Sequence, residues 1–172
     1  MSQDILIKND SILIVGGTGF IGSHIVKEAL NRRLQVTVIS KNNNDLSDRM
    51  QGVEYLAVDI SNKEKLSNEL VGRHFHHVIN LGGYVDHSNY SSGGDKVFDV
   101  HFSGTKNLIN FLNKDVIKSF IQIGSSDEYG INSAPQNESQ RESPMSPYSL
   151  AKTAITHFVQ MLYRTEQFPV VI

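Results

Sequence analysis

Two side chains of complementary chemistry, a phenol and an amine, stand four residues apart in Tyr148-Ser149-Leu150-Ala151-Lys152. On a helix this spacing puts Tyr148 and Lys152 on one face, about one turn from each other. Because a nearby ammonium favours the phenolate, the pair could exchange a proton with a hydroxyl or carbonyl oxygen. The spacing is common by chance, but Pro144-Met145-Ser146-Pro147 comes directly before it and fixes where a helix can begin.

A candidate hydroxyl follows an apolar run, in Ile123-Gly124-Ser125-Ser126-Asp127-Glu128-Tyr129-Gly130. A hydroxyl at the end of this run could hydrogen-bond the same substrate oxygen that Tyr148 protonates. We favour Ser126 for this role and keep Ser125 as the alternative. Serines also occur in turns for purely structural reasons, so the prediction depends on the position of the segment and not on the residue type alone.

A glycine-rich stretch, Gly16-Gly17-Thr18-Gly19-Phe20-Ile21-Gly22, passes from a predicted strand into a predicted helix. Gly16 and Gly17 permit a tight turn at this junction. Gly19 lets the backbone approach a pyrophosphate, and Gly22 lets the new helix pack against the strand. The unpaired amides and the dipole of the helix N-terminus then favour an anion. We predict a dinucleotide-binding turn; the alternative is a turn with a structural role only.

The ends of the next two strands bear on the choice of dinucleotide. An acidic residue at the end of the second strand would bind the ribose hydroxyls of NAD. The chain has Ser40 and Lys41 there, which could contact a 2′-phosphate, so the sequence favours NADP over NAD. Lys41 is equally compatible with an ordinary surface lysine. After the third strand, Asp59 beside Ile60 could accept a hydrogen bond from adenine, or could instead cap the following helix.

The elements that must position these residues alternate between short β-rich runs and longer segments of helical period. We predict a parallel sheet with right-handed crossovers, in which Leu81, Gly82 and Gly83 leave space for the cofactor at the end of the fourth strand. The predicted strands are Ser11–Val15, Gln35–Ile39, Val53–Ala57, His76–Leu81 and Lys118–Gly124, and the predicted helices are Phe20–Asn31, Asn62–Val71, Asp95–Asn113 and Pro147–Glu166.

Composition excludes several classes of function. A net charge of −2 gives no electrostatic reason to expect nucleic acid or an anionic membrane as a partner. The absence of cysteine excludes disulfides and thiolate chemistry. Met1–Asp10 does not resemble a signal peptide, and no run is long and apolar enough for a membrane span, so we expect a soluble, cytoplasmic protein. His74, His76 and His77 precede or begin a strand whose side chains alternate in direction, so we predict no metal site.

Together, Gly16–Gly22, Ser125–Gly130 and Tyr148–Lys152 resemble the extended short-chain dehydrogenase/reductases that act on sugar nucleotides. The resemblance implies a doubly wound Rossmann sheet of strand order 3-2-1-4-5-6 and a catalytic set of Ser126, Tyr148 and Lys152. Tyr148 and Lys152 would also contact the cofactor. It further implies that residues 1–172 are the NAD(P)-binding domain, truncated before a C-terminal substrate domain, with a nucleotide sugar as substrate. Homodimerisation is expected through helices 95–113 and 147–166, whose apolar surface exceeds one face.

The resemblance leaves the reaction open. In the 4,6-dehydratase branch an acidic pair after the catalytic hydroxyl acts as acid and base, which would give Asp127 and Glu128 this role. The loop here is one residue shorter, and an epimerase and a 4-keto reductase are equally compatible with it. Where the family often has asparagine in an Asn-x-x-Gly-Thr stretch, this chain has His101. The rival hypothesis is a non-catalytic dinucleotide-binding or sensor module.

Overall fold

A parallel sheet of six strands forms the centre of the computed structural model, which describes residues 10–42 and 49–172. Its strand order is β3-β2-β1-β4-β5-β6, which confirms the predicted Rossmann order. The polar segment 1–9, used above to argue against a signal peptide, lies outside the described residues. The strands are β1 (Ser11–Val15), β2 (Gln35–Ser40), β3 (Val53–Ala57), β4 (His77–Asn80), β5 (Ser119–Gln122) and β6 (Val170–Val171).

Helices connect the strands as the alternation predicted. They are α1 (Phe20–Asn31), α2 (Lys63–Leu70), α3 (Gly94–Phe98), α4 (Gly104–Phe111) and α5 (Pro147–Glu166), with short 3₁₀ turns at Tyr90–Ser92, Lys114–Val116 and Ser126–Tyr129. The helix predicted over 95–113 is interrupted by a π-helical turn at Asp99–Ser103, which joins α3 to α4. No helix among the described residues is long and apolar enough to cross a membrane; the cytoplasmic location stays a prediction.

Two predicted strands are shorter in the structure. The fourth ends at Asn80 and not at Leu81, and the fifth ends at Gln122 and not at Gly124. Three residues after β4, Gly83 takes a φ of +130°, which is incompatible with an extended strand, so the strand could not continue through this position. These two departures open the carboxyl edge of the sheet.

The hydrophobic core consists of two clusters, one on each face of the sheet, and successive residues of β1 belong alternately to one and the other. Ile12 and Ile14 pack in one cluster with Val26 and Ala29 of α1, on one face of the sheet. Leu13 and Val15 belong to a second cluster on the other face, to which α2, α4 and α5 contribute. Since successive strand residues point to opposite faces, helices on both sides explain why β1 is apolar throughout.

The histidines before and in β4 lie at the amino edge of the sheet, opposite the cleft described below. His77 contacts Ser119 through Nδ1 (2.8 Å) and the Asp10 carboxylate through Nε2 (3.1 Å). His76 Nδ1 is 3.0 Å from the Ser11 hydroxyl. Hydrogen bonds between these side chains therefore link the starts of β1, β4 and β5. The described residues contain no group of three or more side chains suited to hold a metal ion.

Candidate active site

A cleft runs along the carboxyl edge of the sheet between the neighbouring strands β1 and β4. From β1 the chain continues towards β2, and from β4 it continues towards β5, in opposite directions across the sheet. It consists of two adjoining cavities of about 290 Å³ and 390 Å³. Both are lined by Gly16, Gly19 and the segment from Leu81 to Tyr84. In doubly wound sheets, ligands bind at this reversal of strand order.

The predicted glycine turn forms the floor between the two cavities. Gly16 has a φ of +79°, and a Cβ there would come within 3.1 Å of the Leu81 carbonyl oxygen. A Cβ on Gly22 would clash with the Gly16 carbonyl oxygen, so α1 could not start so close to β1. Bare backbone at a helix N-terminus fits a pyrophosphate, and the residues present therefore fit a dinucleotide.

The other residues of the turn differ in position. Thr18 lines the smaller cavity, while Phe20 and Ile21 line the larger one with strongly exposed side chains. Gly17 does not line either cavity: it packs beneath the turn, where a Cβ would lie 2.7 Å from a methyl group of Val38. Gly17 is thus explained by packing alone.

Ser40, Lys41, Asp59 and Ile60 all line the smaller cavity, so the structure brings together the residues predicted at the ends of β2 and β3. Asp59 uses one oxygen to accept hydrogen bonds from the amide and hydroxyl of Ser61, and the other to pair with Lys41 Nζ at 3.1 Å. Burial tends to raise the pKa of Asp59, but the Ser61 and Lys41 contacts outweigh burial and lower it. The residue is an anion that already has a cation beside it.

Tyr148 and Lys152 line the larger cavity, as the helical spacing predicted. The start of α5 positions them: Ser146 caps the helix by accepting from the Ser149 amide, and Pro147 occupies the first turn. Tyr148 is 7% exposed, and the Lys152 ammonium lies 5.9 Å from the centre of its ring. No described residue hydrogen-bonds the Tyr148 hydroxyl, which leaves this group available to a ligand.

Lys152 is buried, and its Nζ donates a 2.8 Å hydrogen bond to the Ile123 carbonyl oxygen at the end of β5. Burial lowers the pKa of Lys152, and the nearby Glu128 charge opposes that shift. The lysine is therefore held in one position by the sheet edge itself. Nothing in the sequence signals this contact, because any residue could supply the carbonyl.

His101 lies on the other side of the tyrosine ring, in the π-helical turn. It is 3% exposed, and its Nε2 donates to the Tyr84 carbonyl oxygen at 2.8 Å. Burial lowers the pKa of His101, and the Lys152 charge lowers it further against the effect of the Tyr84 contact. A neutral imidazole therefore stands where the family often has asparagine.

The segment after β5 is only partly in the cleft. Ile123 and Gly124 line the larger cavity, but Ser125 and Ser126 do not. Ser125 caps the 3₁₀ turn by accepting from the Asp127 amide, whereas Ser126 is exposed and without a hydrogen-bond partner in the described part of the chain. Of the two serines, Ser126 therefore has the free hydroxyl. Because Ser126 lies outside the larger cavity, a ligand oxygen must extend beyond that cavity to reach this hydroxyl.

Asp127 and Glu128 do not face one another. Glu128 is 5% exposed, and its two carboxylate oxygens accept from the Ser125 amide (2.9 Å) and the Thr156 hydroxyl (2.8 Å). Asp127 points to the opposite side, towards His87, whose Nε2 is 3.7 Å from Oδ2. The structure thus separates the predicted acidic pair into a buried residue and a partly exposed one.

The end of β4 and the polar, glycine-rich loop after it, which the sequence places at the substrate mouth, supply further groups at this edge. Tyr84 and Val85 line the larger cavity, and Asn80 is buried beneath it. Asn80 donates to Thr105 and Gln122 and accepts from the Gly82 amide, which holds the end of β4 in place. Asn80 ends β4 at the sheet edge where ligands are expected to bind.

The strand order, the glycine turn and the ligand-sized cleft define a doubly wound α/β protein of the Rossmann type. The model of the NAD dependent epimerase/dehydratase family matches residues 12–172. The chain belongs to this family and thus to the extended short-chain dehydrogenase/reductases, as its motifs had indicated. A nicotinamide dinucleotide is accordingly the cofactor class of the family.

Relatives span several reactions. A bifunctional UDP-glucose 4-epimerase and UDP-xylose 4-epimerase of Pisum sativum is 26% identical, over 92% of this chain and 49% of the relative. A dTDP-D-glucose 4,6-dehydratase of Dictyostelium discoideum is 27% identical, over 94% of this chain and 42% of the relative. The UDP-glucose 4-epimerase of Thermus thermophilus, solved with NAD, shares the fold with a TM-score of 0.79 and 24% identity, over 93% of this chain and 53% of that one. The chain therefore spans about half the length of these proteins.

Proposed function

We propose that this chain is the cofactor-binding and acid/base half of an enzyme that epimerises, dehydrates or reduces a hexose of a nucleotide sugar. Residues 1–172 would form its NAD(P)-binding domain, and a nucleotide sugar would be its substrate. Bound nicotinamide supplies hydride transfer. Tyr148 exchanges the proton of the hexose hydroxyl or carbonyl, Lys152 favours its phenolate, and Ser126 hydrogen-bonds the same oxygen.

The observation that carries the proposal is the shared cleft. The phenol of Tyr148 lines the cavity that also contains the glycine turn, so a dinucleotide across Gly16 and Gly19 reaches towards the tyrosine. The names of the relatives, which include UDP-sugar epimerases and a dTDP-glucose dehydratase, support the substrate class.

The contacts of Glu128 bear on which of the three reactions we favour. Its two oxygens are occupied by Ser125 and Thr156, so it is poorly placed to act with Asp127 as a dehydratase acid–base pair. We therefore favour an epimerase or a reductase over a dehydratase that relies on this pair.

The test is the Tyr148→Phe variant, with Tyr163→Phe on the exposed part of the same helix as the matched control. We expect Tyr148→Phe to bind NAD or NADP with nearly unchanged affinity by calorimetry. In an enzyme that unites this chain with a substrate-binding half, it should lose turnover of UDP-glucose and related nucleotide sugars by at least about 100-fold, the usual scale of a lost acid/base. Equal turnover in the two variants contradicts the mechanism. Cofactor binding without turnover, even in an enzyme that unites this chain with a substrate-binding half, favours a dinucleotide-binding or sensor module instead.

We also propose that the chain forms a homodimer through the outer face of α5 with the segment from α3 to α4. Leu150 and Met161, three helical turns apart on α5, are half-exposed large apolar side chains, while α3 and the π-helical turn already pack beside α5. Light scattering coupled to gel filtration tests this. A dimer that becomes a monomer in Leu150→Asp supports the interface, and an unmodified chain that is monomeric at all concentrations contradicts it.

A further inference from the structure

Besides His101, a second imidazole stands beside the tyrosine. His87, in the loop between β4 and α3, has its ring 5.7 Å from the ring of Tyr148 at 79°. Its Nε2 lies 3.7 Å from Oδ2 of Asp127, on the segment after β5. The ring of Tyr148 thus contacts two imidazoles, the buried His101 and the exposed His87, and His87 is itself paired with Asp127.

The pair is open to solvent; neither side chain lines the larger cavity itself, and the ring contact with Tyr148 is what places His87 beside the site. The side chains of His87 and Asp127 are 57% and 42% exposed, whereas Glu128 is buried with both oxygens occupied. His87 is therefore the partner that the geometry gives to Asp127. A carboxylate beside an imidazole orients the ring, and an imidazole held in one orientation suits a general base.

We propose that His87, oriented by Asp127, is a second acid/base of the site and acts on the carbon next to the one whose oxygen Tyr148 handles. This inference rests on the proposed function, since it requires a sugar with a carbonyl at the carbon whose oxygen Tyr148 contacts. His87 then acts on the neighbouring carbon. The neutral imidazole takes a proton from the adjacent carbon. The C–H bond breaks, its electron pair forms the C=C bond of an enolate, and the former carbonyl oxygen becomes the anion.

The reverse step returns a proton from the imidazolium to the same carbon and restores the ketone and the neutral ring. No oxidant or reductant is consumed, so the step is separate from hydride transfer. Its consequence is proton exchange at that carbon with retention of configuration, because one imidazole removes and returns the proton from the same side. The chain would therefore act on nucleotide-linked ketohexoses at two adjacent centres and not only at the oxidised carbon.

The experiment follows deuterium incorporation from D₂O into UDP-4-keto-6-deoxyglucose, which already contains the carbonyl, by proton NMR. We expect exchange at a carbon next to the ketone when the unmodified chain is united with a substrate-binding half, the form in which all variants are compared. His87→Asn should slow it by at least about 100-fold, the usual contribution of a general base. Asp127→Asn should slow it less, because that change removes the orienting partner and not the base. His74→Asn, an exposed histidine at the opposite edge of the sheet, should exchange at the unmodified rate.

Two further measurements separate a proton-transfer role from a structural one. Added imidazole should restore part of the exchange in His87→Gly, where a merely structural defect would not respond. The side-chain NMR signals of His87, assigned by their loss in His87→Asn, should shift when the ketosugar nucleotide is added, while those of His74 should not.

The outcomes are independent of the test on Tyr148→Phe, which measures turnover. Equal exchange rates with the unmodified sequence and with His87→Asn overturn the inference, as does the absence of exchange when the substrate-binding half is present. Unchanged exchange in Asp127→Asn overturns the orienting role of the carboxylate. Loss of turnover in Tyr148→Phe with persistent exchange supports both proposals, and persistent turnover in Tyr148→Phe with His87-dependent exchange contradicts the proposed function alone.

Discussion

The ring of His101 stands edge-on against the ring of Tyr148, with their centroids 5.1 Å apart and their planes at 81°. Gly83 makes this arrangement fit: its φ is +130°, and a Cβ there would occupy the position of the imidazole. The π-helical turn brings the histidine into the same space from the other side. Extra residues in a helical turn often occur at functional sites, and here the turn sets the inner wall beside the phenol.

Gly83→Ala should therefore destabilise the chain and displace His101. The strained φ and the overlap with the imidazole together should cost about 2–5 kcal/mol of unfolding free energy. Urea unfolding measures the loss. The matched control is Gly93→Ala, at a φ of +112° with no atom within 4 Å of the new Cβ, where the backbone strain alone should cost about 1–2 kcal/mol. Equal losses in the two variants would show that the imidazole does not fill this space in solution.

Glu128 and Thr156 should behave as one structural unit. The Thr156 hydroxyl donates to Glu128 across the gap between α5 and the segment after β5, and both residues are buried. Glu128→Gln and Thr156→Val should each lower the unfolding free energy by about 1–3 kcal/mol, since each leaves a buried polar group without its partner. The double variant should lose less than the sum, with a coupling of about 1 kcal/mol.

Thr165→Val, an exposed threonine on the same helix, is the control for the change of residue type and should alter stability by less than about 0.5 kcal/mol. Additive losses for Glu128 and Thr156 would mean that the two side chains do not meet. Unfolding free energies from urea titration give all four values.

The sequence predicted the sheet because its signals are local. The apolar run Ile12 to Val15 and the glycines after it define a strand, a turn and a helix without reference to the rest of the chain. The pairing of Tyr148 with Lys152 was equally accessible, since helical periodicity fixes which residues share a face.

What the sequence could not predict depends on residues far apart in the chain. The separation of Asp127 from Glu128 follows from the hydrogen bond to Thr156, which lies 28 residues away from Glu128. The position of His87 beside Tyr148 depends on the path of a loop, for which no periodicity exists. The π-helical turn within the helix predicted over 95–113 contains His101, whose contacts with Tyr84 and Tyr148 likewise join residues far apart in the chain.

Lys41 should decide how well the site binds NADP. Its ammonium is exposed and pairs with Asp59, so a 2′-phosphate must take the cation from an existing partner. We propose that it does, which keeps the preference for NADP that the end of β2 suggested. Lys41→Ala should weaken NADP binding about fivefold and leave NAD binding nearly unchanged, the scale of one exposed charge pair. Calorimetry with both cofactors measures this, with Lys63→Ala at the start of α2 as the control. A fall in NAD affinity equal to that for NADP would contradict the role of Lys41.

Asp10 should make the stability of the chain depend on pH at the edge of the sheet opposite the cleft. Its carboxylate accepts from Lys118 Nζ at 3.0 and 2.9 Å and from His77 Nε2 at 3.1 Å. Burial tends to raise the pKa of Asp10, but these hydrogen bonds and the nearby charges outweigh burial, so that its pKa is lowered in the folded chain. The carboxylate joins the start of β1 to those of β4 and β5.

Because the pKa of Asp10 is lower in the folded state than in the unfolded state, the direction in which stability changes with pH is defined. The contribution of Asp10 is fully present above its unfolded pKa of about 3.9 and is lost as the pH falls through the lower folded value. Urea unfolding of the unmodified chain and of Asp10→Asn, compared between about pH 7 and pH 2, should show a difference that is largest at neutral pH and shrinks in acid. A difference that stays constant over this range would mean that the folded state does not favour the ionised carboxylate. Asp115→Asn, an exposed residue between α4 and β5, should give a curve parallel to that of the unmodified chain.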